Sequence, residues 1–343
     1  MRSLSIVLLL LLQSLAFCQE KESQEKENQQ ETNVYIPFIC NAGEKHTYRA
    51  TETKYKNGKV KSVKTQILKL KILSVEDKEI EATMKIVPQV DQATLRKIES
   101  DPVSKAFKEL WGSLVFEVVI TPDGVFSEFK NIKEIEAAVA KTREMVVGIL
   151  EEMKPALMAR RAEKMGKDPS EIDPAEIDRV FAVLLKHQGS TETAIEKMLT
   201  PLNLILQFVN TEHEVGKPKV DQTELDMGIV SALPATETYR VMEVDRQSNL
   251  AVIQFQQQVK GQEAATKYQK ALDELVQEMD PKHKPRTDLP KVTVLFDSST
   301  EGRMDLNSGW PQTVSWSSKL NNLKDDQLAV QRKVEVQRVE PEK

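Results

Sequence analysis

The sequence predicts an α+β fold: antiparallel β-meanders in two related halves forming curved sheets, with a helical insertion between them. Three observations lead there. Alternating apolar and polar segments broken by tight-turn residues fill residues 46–90 and resume after residue 212. Apolar residues at helical spacing occupy the stretch between. HTYRATET near residue 46 is echoed by ETYRVMEV near residue 237, each followed by strands and then a helix. The expected organisation is a signal peptide over 1–18, a disordered tether over 19–34, an N-terminal β-rich half over 35–131, the helical insertion over 132–209, and a C-terminal β-rich half over 210–340.

At the N-terminus, Arg2 precedes an apolar run, Ser5–Leu12, too short to stay in a bilayer as a helix. Small residues follow in SLAFCQE. Ser14 and Ala16 suit a cut after Ala16; Ala16 and Cys18 suit a cut after Cys18. Lipidation of Cys18 is the alternative, and Phe17 opposes it by standing where lipoprotein signals carry a small residue. The next segment, QEKESQEKENQQETN, has no apolar residue and nothing to bury, so it reads as a tether. The expected location is therefore periplasmic or secreted, with a lipid-anchored envelope protein as the alternative.

In the first β-rich half, Asn57-Gly58 tolerates positive φ at both centres of a tight hairpin. Leu68, Leu70 and Ile72 alternate with Lys69 and Lys71, which predicts one wet face. Glu76-Asp77-Lys78 makes the next turn. Asp101 and Pro102 open a short helix as N-cap and first helical residue. Pro122-Asp123-Gly124 closes a second hairpin.

Ile132, Ile135, Val139, Val146, Ile149, Leu150, Met153 and Leu157 then recur at helical spacing, and Pro155 is expected to kink or interrupt their helix. Asp168-Pro169 with Glu171, and Asp173-Pro174 with Glu176, repeat one capping device. A further helix begins near Thr191, and Pro201 is expected to restrict the chain before LNLILQFV. Beyond residue 212 come a hairpin around Asp245–Asn249, an amphipathic helix in EAATKYQKALDELVQEMD, a loop over Pro281–Pro290, and a closing meander with a turn at Asn307-Ser308-Gly309.

Four segments carry a likeness: GEKHTYRATET, FEVVITPDGVFSEFKNIKEI, LILQFVNTEHEVGKPKV and GRMDLNSGWPQTVSWSS. In order and pattern the chain resembles a family of uncharacterised exported bacterial β-rich proteins, a domain of unknown function. It departs where the family often has Gly-x-x-Trp and this chain has GKPKV. The resemblance implies an exported β-rich protein and no catalytic residue.

Composition and motif spacing narrow the functions. The formal charge is −5 with signs interspersed, and aromatics are 5%, which argues against a nucleic-acid binder. No later segment has the uncharged apolar length of a membrane-spanning helix, so an integral membrane protein is not expected. The two cysteines, Cys18 and Cys40, make no disulfide framework, and Cys40 in YIPFIC reads as a buried small hydrophobe. His46, His187, His213 and His283 show no two-histidine metal spacing. Glu212-His213-Glu214 alternates sides if extended, and a solvated turn is the better reading. There is no Gly-x-Ser-x-Gly elbow and no phosphate loop, so no catalytic, cofactor or metal residue is assigned. Arg160, Arg161, Lys164 and Lys167 read as a solvated helix face. Trp310, Trp316, Met145 and Met153 are the candidates for an apolar ligand groove, since aromatics and methionines suit adaptable apolar contacts. The leading expectation is a non-catalytic exported protein that binds an apolar small molecule or lipid, or an envelope protein. A structural or assembly role and an unrecognised hydrolase are the alternatives.

Overall fold

The computed structural model describes residues 33–90, 96, 99, 102–188, 191–285, 288, 292–321, 323 and 328–339. The signal, Cys18, most of the tether, Asp101 and part of the Pro281–Pro290 loop lie outside the described residues. The fold is mostly antiparallel β-sheet with a few helices. The strands are β1 (Asn33–Ile36), β2 (Lys45–Lys56), β3 (Lys59–Val75), β4 (Ile80–Gln89), β5 (Phe116–Ile120), β6 (Phe126–Phe129), β7 (Thr211–Glu214), β8 (Lys219–Leu225), β9 (Leu233–Asp245), β10 (Leu250–Lys260), β11 (Val294–Asp305), β12 (Pro311–Asn321) and β13 (Leu328–Arg338). The helices are α1 (Pro102–Ser113), α2 (Ile132–Met165), α3 (Pro174–Gln188), α4 (Thr191–Leu206) and α5 (Gln262–Met279).

Eleven strands form one sheet in the order β6-β5-β4-β3-β2-β13-β12-β11-β10-β9-β8. Each half of that order is a meander, made by turns the sequence specifies. Asn57 (φ 50°) and Gly58 (φ 72°) join β2 to β3 in the left-handed region that a tight hairpin requires. The Asp245 carboxylate accepts from the amides of Gln247 and Ser248 at 2.9 and 3.2 Å, ordering the turn before β10. Among the described residues the two meanders pair only at β2 and β13, from Tyr48↔Arg338 to Lys56↔Val330. β1 and β7 form a separate two-stranded ribbon, which the sequence reading did not foresee: Asn33 is already in strand, and Glu212-His213-Glu214 is a paired strand rather than a solvated turn.

Two prolines behave differently from expectation. α2 runs without a break through Pro155, and α4 through Pro201. Proline propensity is a local term, and at Pro201 tertiary contact outweighs it, since Leu202, Ile205 and Leu206 are buried, whereas the turn after Pro155 is exposed or half-buried and nothing in the structure explains its tolerance. The two Asp-Pro devices also diverge. Asp168 caps only a single 3-10 turn, accepting from Ser170 N at 2.9 Å, whereas Asp173 accepts from Ala175 N at 3.0 Å and opens α3.

The helices share one face of the sheet. α4 lies against β12 and β13, α5 lies against β9 and β10, and α3 bridges α2 and α5. Ion pairs tie this layer together: Arg161–Glu176 at 2.6 Å and Lys154–Asp178 at 2.5 Å between α2 and α3, and Lys186–Glu278 at 3.2 Å between α3 and α5. Phe208, just after α4, is fully buried against bare backbone, since a Cβ on Gly302 would lie 2.6 Å from its ring. No helix among the described residues is long and apolar enough to cross a membrane.

The turn before β12 is pinned to the N-terminal segment. Ile39 N donates to Ser308 O at 3.0 Å, and Trp310 Nε1 donates to Ile39 O at 3.1 Å. Gly309 has φ 79°, and a Cβ there would stand 1.6 Å from the Pro37 carbonyl oxygen. Gly309→Ala should therefore cost more than about 3 kcal/mol, combining backbone strain with a collision. Gly43→Ala, at a similar φ of 86° with nothing within 4 Å, should cost only about 1 kcal/mol. Urea unfolding of the two variants checks the contrast, and equal losses would show that the Pro37 contact contributes nothing.

Candidate functional site

The covered face of the sheet carries two apolar clusters. The larger gathers Tyr48, Leu68, Leu70, Met84, Ile253, Met304, Trp310 and Val314 with Leu202, Ile205 and Phe208. The smaller lies under α5 and gathers Leu233, Ala235, Val259, Ala264, Ala265 and Leu295, with Phe296 and Leu320 packed against it.

Between the clusters the pattern changes, and strand register shows how. Side chains two residues apart on a strand share a face, and paired residues lie side by side across strands. Following the pairs gives a row Val241–Ile253–Gly302–Val314–Val336–Ala50, which belongs to the large cluster or, at Gly302, seats Phe208. The next row is Tyr239–Phe255–Thr300–Trp316–Val334–Glu52. After it comes Glu237–Gln257–Ser298–Ser318–Arg332–Lys54, polar across six adjacent strands. Beyond it Val259–Phe296–Leu320 return to apolar.

The polar row is bonded within itself and to Glu52 of the row beside it. Gln257 Nε2 donates to Glu237 Oε1 at 2.8 Å. Arg332 Nε donates to Glu52 Oε1 at 2.5 Å, and Lys54 Nζ lies 3.4 Å from the same oxygen. The Arg332 guanidinium also stacks 5.4 Å from the centre of the Trp316 ring. Ser298 and Thr300 are buried, while Glu237, Gln257, Ser318, Trp316 and Arg332 are half-buried. The arrangement is two cations, two carboxylates and amide and hydroxyl groups flanked by aromatic and aliphatic walls. That chemistry can hold the polar end of an amphipathic molecule while its apolar part lies against Tyr239, Phe255 and Trp316.

The four sequence-predicted groove residues divide between this face and the helical layer. Trp316 belongs to the rows just described. Trp310 is fully buried, stacked on His46 at 3.9 Å and tilted against Phe38 at 5.5 Å between ring centres. Met145 is half-buried on α2, and Met153 on the same helix is 48% exposed. The polar row itself was missed. Its signal in the sequence is that strands β9, β10, β12 and β13 each place a polar residue (Glu237, Gln257, Ser318, Arg332) at a position whose neighbours two residues away are apolar, and only the register aligns these with Ser298 of β11 into one row.

The Arg160–Lys164 face is not wholly solvated: Arg160, Arg161 and Lys164 rim a groove of about 350 Å³ with Leu157, Ile177, Val180 and Phe181. Cys40 is a free thiol packed against the large cluster, and burial, with Glu44 nearby, pushes its pKa up to about 12. His213 is buried in β7, hydrogen-bonded to Thr211 at 2.9 Å, with its pKa lowered by burial and then by Lys219. Among the described residues, no three of His, Cys, Asp and Glu cluster as metal ligands.

No family model and no curated protein matches the chain. Among solved structures it is similar to one titled "Lipid-protein interactions in lipovitellin", with a TM-score of 0.35 and 7% identity over 87% of this chain and 25% of that one. The chain thus spans about a quarter of that structure's length, and at this TM-score the likeness carries no argument.

His46 has the clearest pH signature. Burial pulls its pKa down to about 4, against the raising influence of Glu44 3.1 Å away and with the help of Arg338. Unfolded, it titrates near 6.5. The stability of the neutral, stacked ring is therefore complete above pH 6.5 and is lost as pH falls toward 4, by about 3 kcal/mol. His46→Phe should remove that share of the acid sensitivity. Urea midpoints of both proteins between about pH 7 and 4 test it, and parallel curves would contradict the assignment.

Proposed function

We propose that the protein is an exported, non-catalytic carrier that holds an amphipathic lipid on the helix-covered face of its sheet. The observation that carries this reading is the polar row Glu237–Gln257–Ser298–Ser318–Arg332–Lys54 lying between two apolar clusters. Half-burying charges and amides in the middle of an apolar face costs stability, and an apolar row would pack better. Departures of that kind from the folding pattern concentrate at functional sites. The ligand's polar end would exchange hydrogen bonds with Gln257, Arg332 and Lys54, and Trp316 would give its apolar part a rigid wall.

In the same reading the residues before the folded region serve as signal and tether, with cleavage at Ala16 or Cys18. The β2–β6 and β8–β13 meanders are two related halves, with residues 132–209 inserted between them as the layer that covers the ligand. The likeness to exported β-rich bacterial proteins of unknown function fits that placement.

Native mass spectrometry of the protein after mild extraction tests the carrier reading. The expected spectrum shows a lipid-sized mass that survives transfer, and delipidated protein regains it from vesicles. Trp316→Ala together with Arg332→Gln should weaken retention roughly tenfold, about 1.4 kcal/mol. A wild-type protein that neither retains nor takes up lipid would sink the proposal.

A further inference from the structure

Between Glu52 and Glu76 the chain contains seven lysines, at 54, 56, 59, 61, 64, 69 and 71, and no acidic residue. This runs against a chain whose formal charge is −5. The segment folds as the end of β2, the Asn57-Gly58 turn and β3. Among the described residues β3 pairs with β4 from Thr65↔Gln89 onward, so Lys59–Lys64 run past the end of β4 and pair with β2. On the other side β13 flanks the hairpin to its tip, where Lys56 pairs with Val330 and Asn57 N donates to Ala329 O.

The tip is not merely basic. Val60 and Val63 are 56% and 59% exposed. Val60 is paired with Tyr55, and Val63 with Thr53. Lys333 of β13 stands 5.8 Å from the Tyr55 ring. By strand alternation, the face that carries Val63 continues through Ile67, Lys69 and Lys71, away from the apolar clusters. There Lys45, Arg49, Lys69, Lys71 and Lys85 line a groove of about 680 Å³ with Ile67 and Val87. On β13, β4 and β5 the acids of this face are Glu335 opposite Thr51, Glu117 opposite Thr83, and Glu81, which is engaged by Lys130, and Asp297 and Glu301 share it farther along the sheet on β11.

We propose that this hairpin and the basic face behind it dock the protein on the surface of an anionic phospholipid bilayer. Charge complementarity selects that occupant, because lysines near a negatively charged leaflet each add attraction that falls off within a Debye length. The exposed valines and tyrosine supply shallow apolar contact at headgroup depth. The lysines set the depth limit: their ammonium groups need water or headgroup partners, which the hydrocarbon interior lacks. Docking is therefore interfacial. Tyr55, Val60, Val63 and the groove behind them lie on the face opposite the polar row, whereas Lys54 belongs to that row and Lys56, Lys59 and Lys64 share its face, so the hairpin presents lysines on both faces, and the variants below leave Lys54 unchanged.

Co-sedimentation of the full chain, as the cell processes it, with vesicles tests this. The probes are phosphatidylcholine alone and phosphatidylcholine with about 30% phosphatidylglycerol, at about 0.1 M salt. Neutral vesicles control for any acyl anchor. The expected result is at least about tenfold stronger binding to the anionic vesicles, weakening as salt rises. Each lysine contributes roughly a factor of five, so Lys56→Glu with Lys59→Glu and Lys61→Glu should reduce binding by at least about a hundredfold. Val60→Ser with Val63→Ser, which leaves the charge unchanged, should reduce it roughly threefold to tenfold. Unchanged thermal melting shows that the variants fold; if they do not, the salt dependence of wild-type binding decides instead. Equal binding to neutral and anionic vesicles overturns the proposal, as does unaltered binding by the lysine variant. So does preferential binding to duplex DNA that anionic vesicles fail to displace.

Discussion

The pairing of β2 with β13 is the constraint on which the rest of the structure depends. It joins strands some 280 residues apart, and among the described residues it is the one seam between two meanders that are otherwise built from neighbouring strands. Closing so long a loop is entropically expensive, and the reward comes only when long-range contacts form together. The seam is reinforced at one end. Pro37–Ile39 cross the turn before β12, Trp310 is sealed beneath them, and His46 of β2 stacks on Trp310. The N-terminal segment thus clamps the C-terminal meander at the point where the two meanders meet.

From that seam the position of the polar row follows. Register propagates across a sheet, because a slip by one residue turns every side chain to the other face. With β2 and β13 locked, Lys54 and Arg332 must align with Ser318, Ser298, Gln257 and Glu237. The helices are placed around the row rather than on it: α4 meets the apolar rows on one side, and α5 those on the other. The row is thus a consequence of pairing between distant parts of the chain, and no local segment contains it.

That is why the turns were legible in the sequence and the site was not. Asn57-Gly58 and the turn ahead of Trp310 are dictated by backbone conformations that few residues adopt, so a few letters suffice. Leu68, Leu70 and Ile72 are buried where alternation puts them. Pro201 misled because a proline's local penalty is outweighed when the following turn is buried, as Leu202 and Ile205 are, while the turn after Pro155 is exposed or half-buried and offers no such compensation. The β1–β7 ribbon joins two four-residue strands far apart in the chain, which leaves no local pattern to read. Trp310 and Trp316 are six residues apart near the same turn, yet one is sealed against His46 and the other is half-buried beside Arg332. Composition alone could not separate them.

An open sheet of this length tends to curl, and large antiparallel sheets often close into barrels. The two edges here oppose closure. β6 has only four residues, so it offers little backbone to pair with. β8 presents Lys219, Asp221, Gln222 and Glu224, and charged edge residues resist further pairing. The β1–β7 ribbon then approaches β9, where Val215 bridges Val241, and occupies space that a closing strand would need. With closure blocked, the apolar face must be covered by something other than strands, and the chain supplies helices tied to one another by exposed ion pairs. Such pairs are individually weak, about 1 kcal/mol or less. Beneath these weak pairs Leu202, Ile205 and Phe208 are fully buried in the large apolar cluster, so it is apolar contact with the sheet, rather than the ion pairs, that fixes where the cover lies.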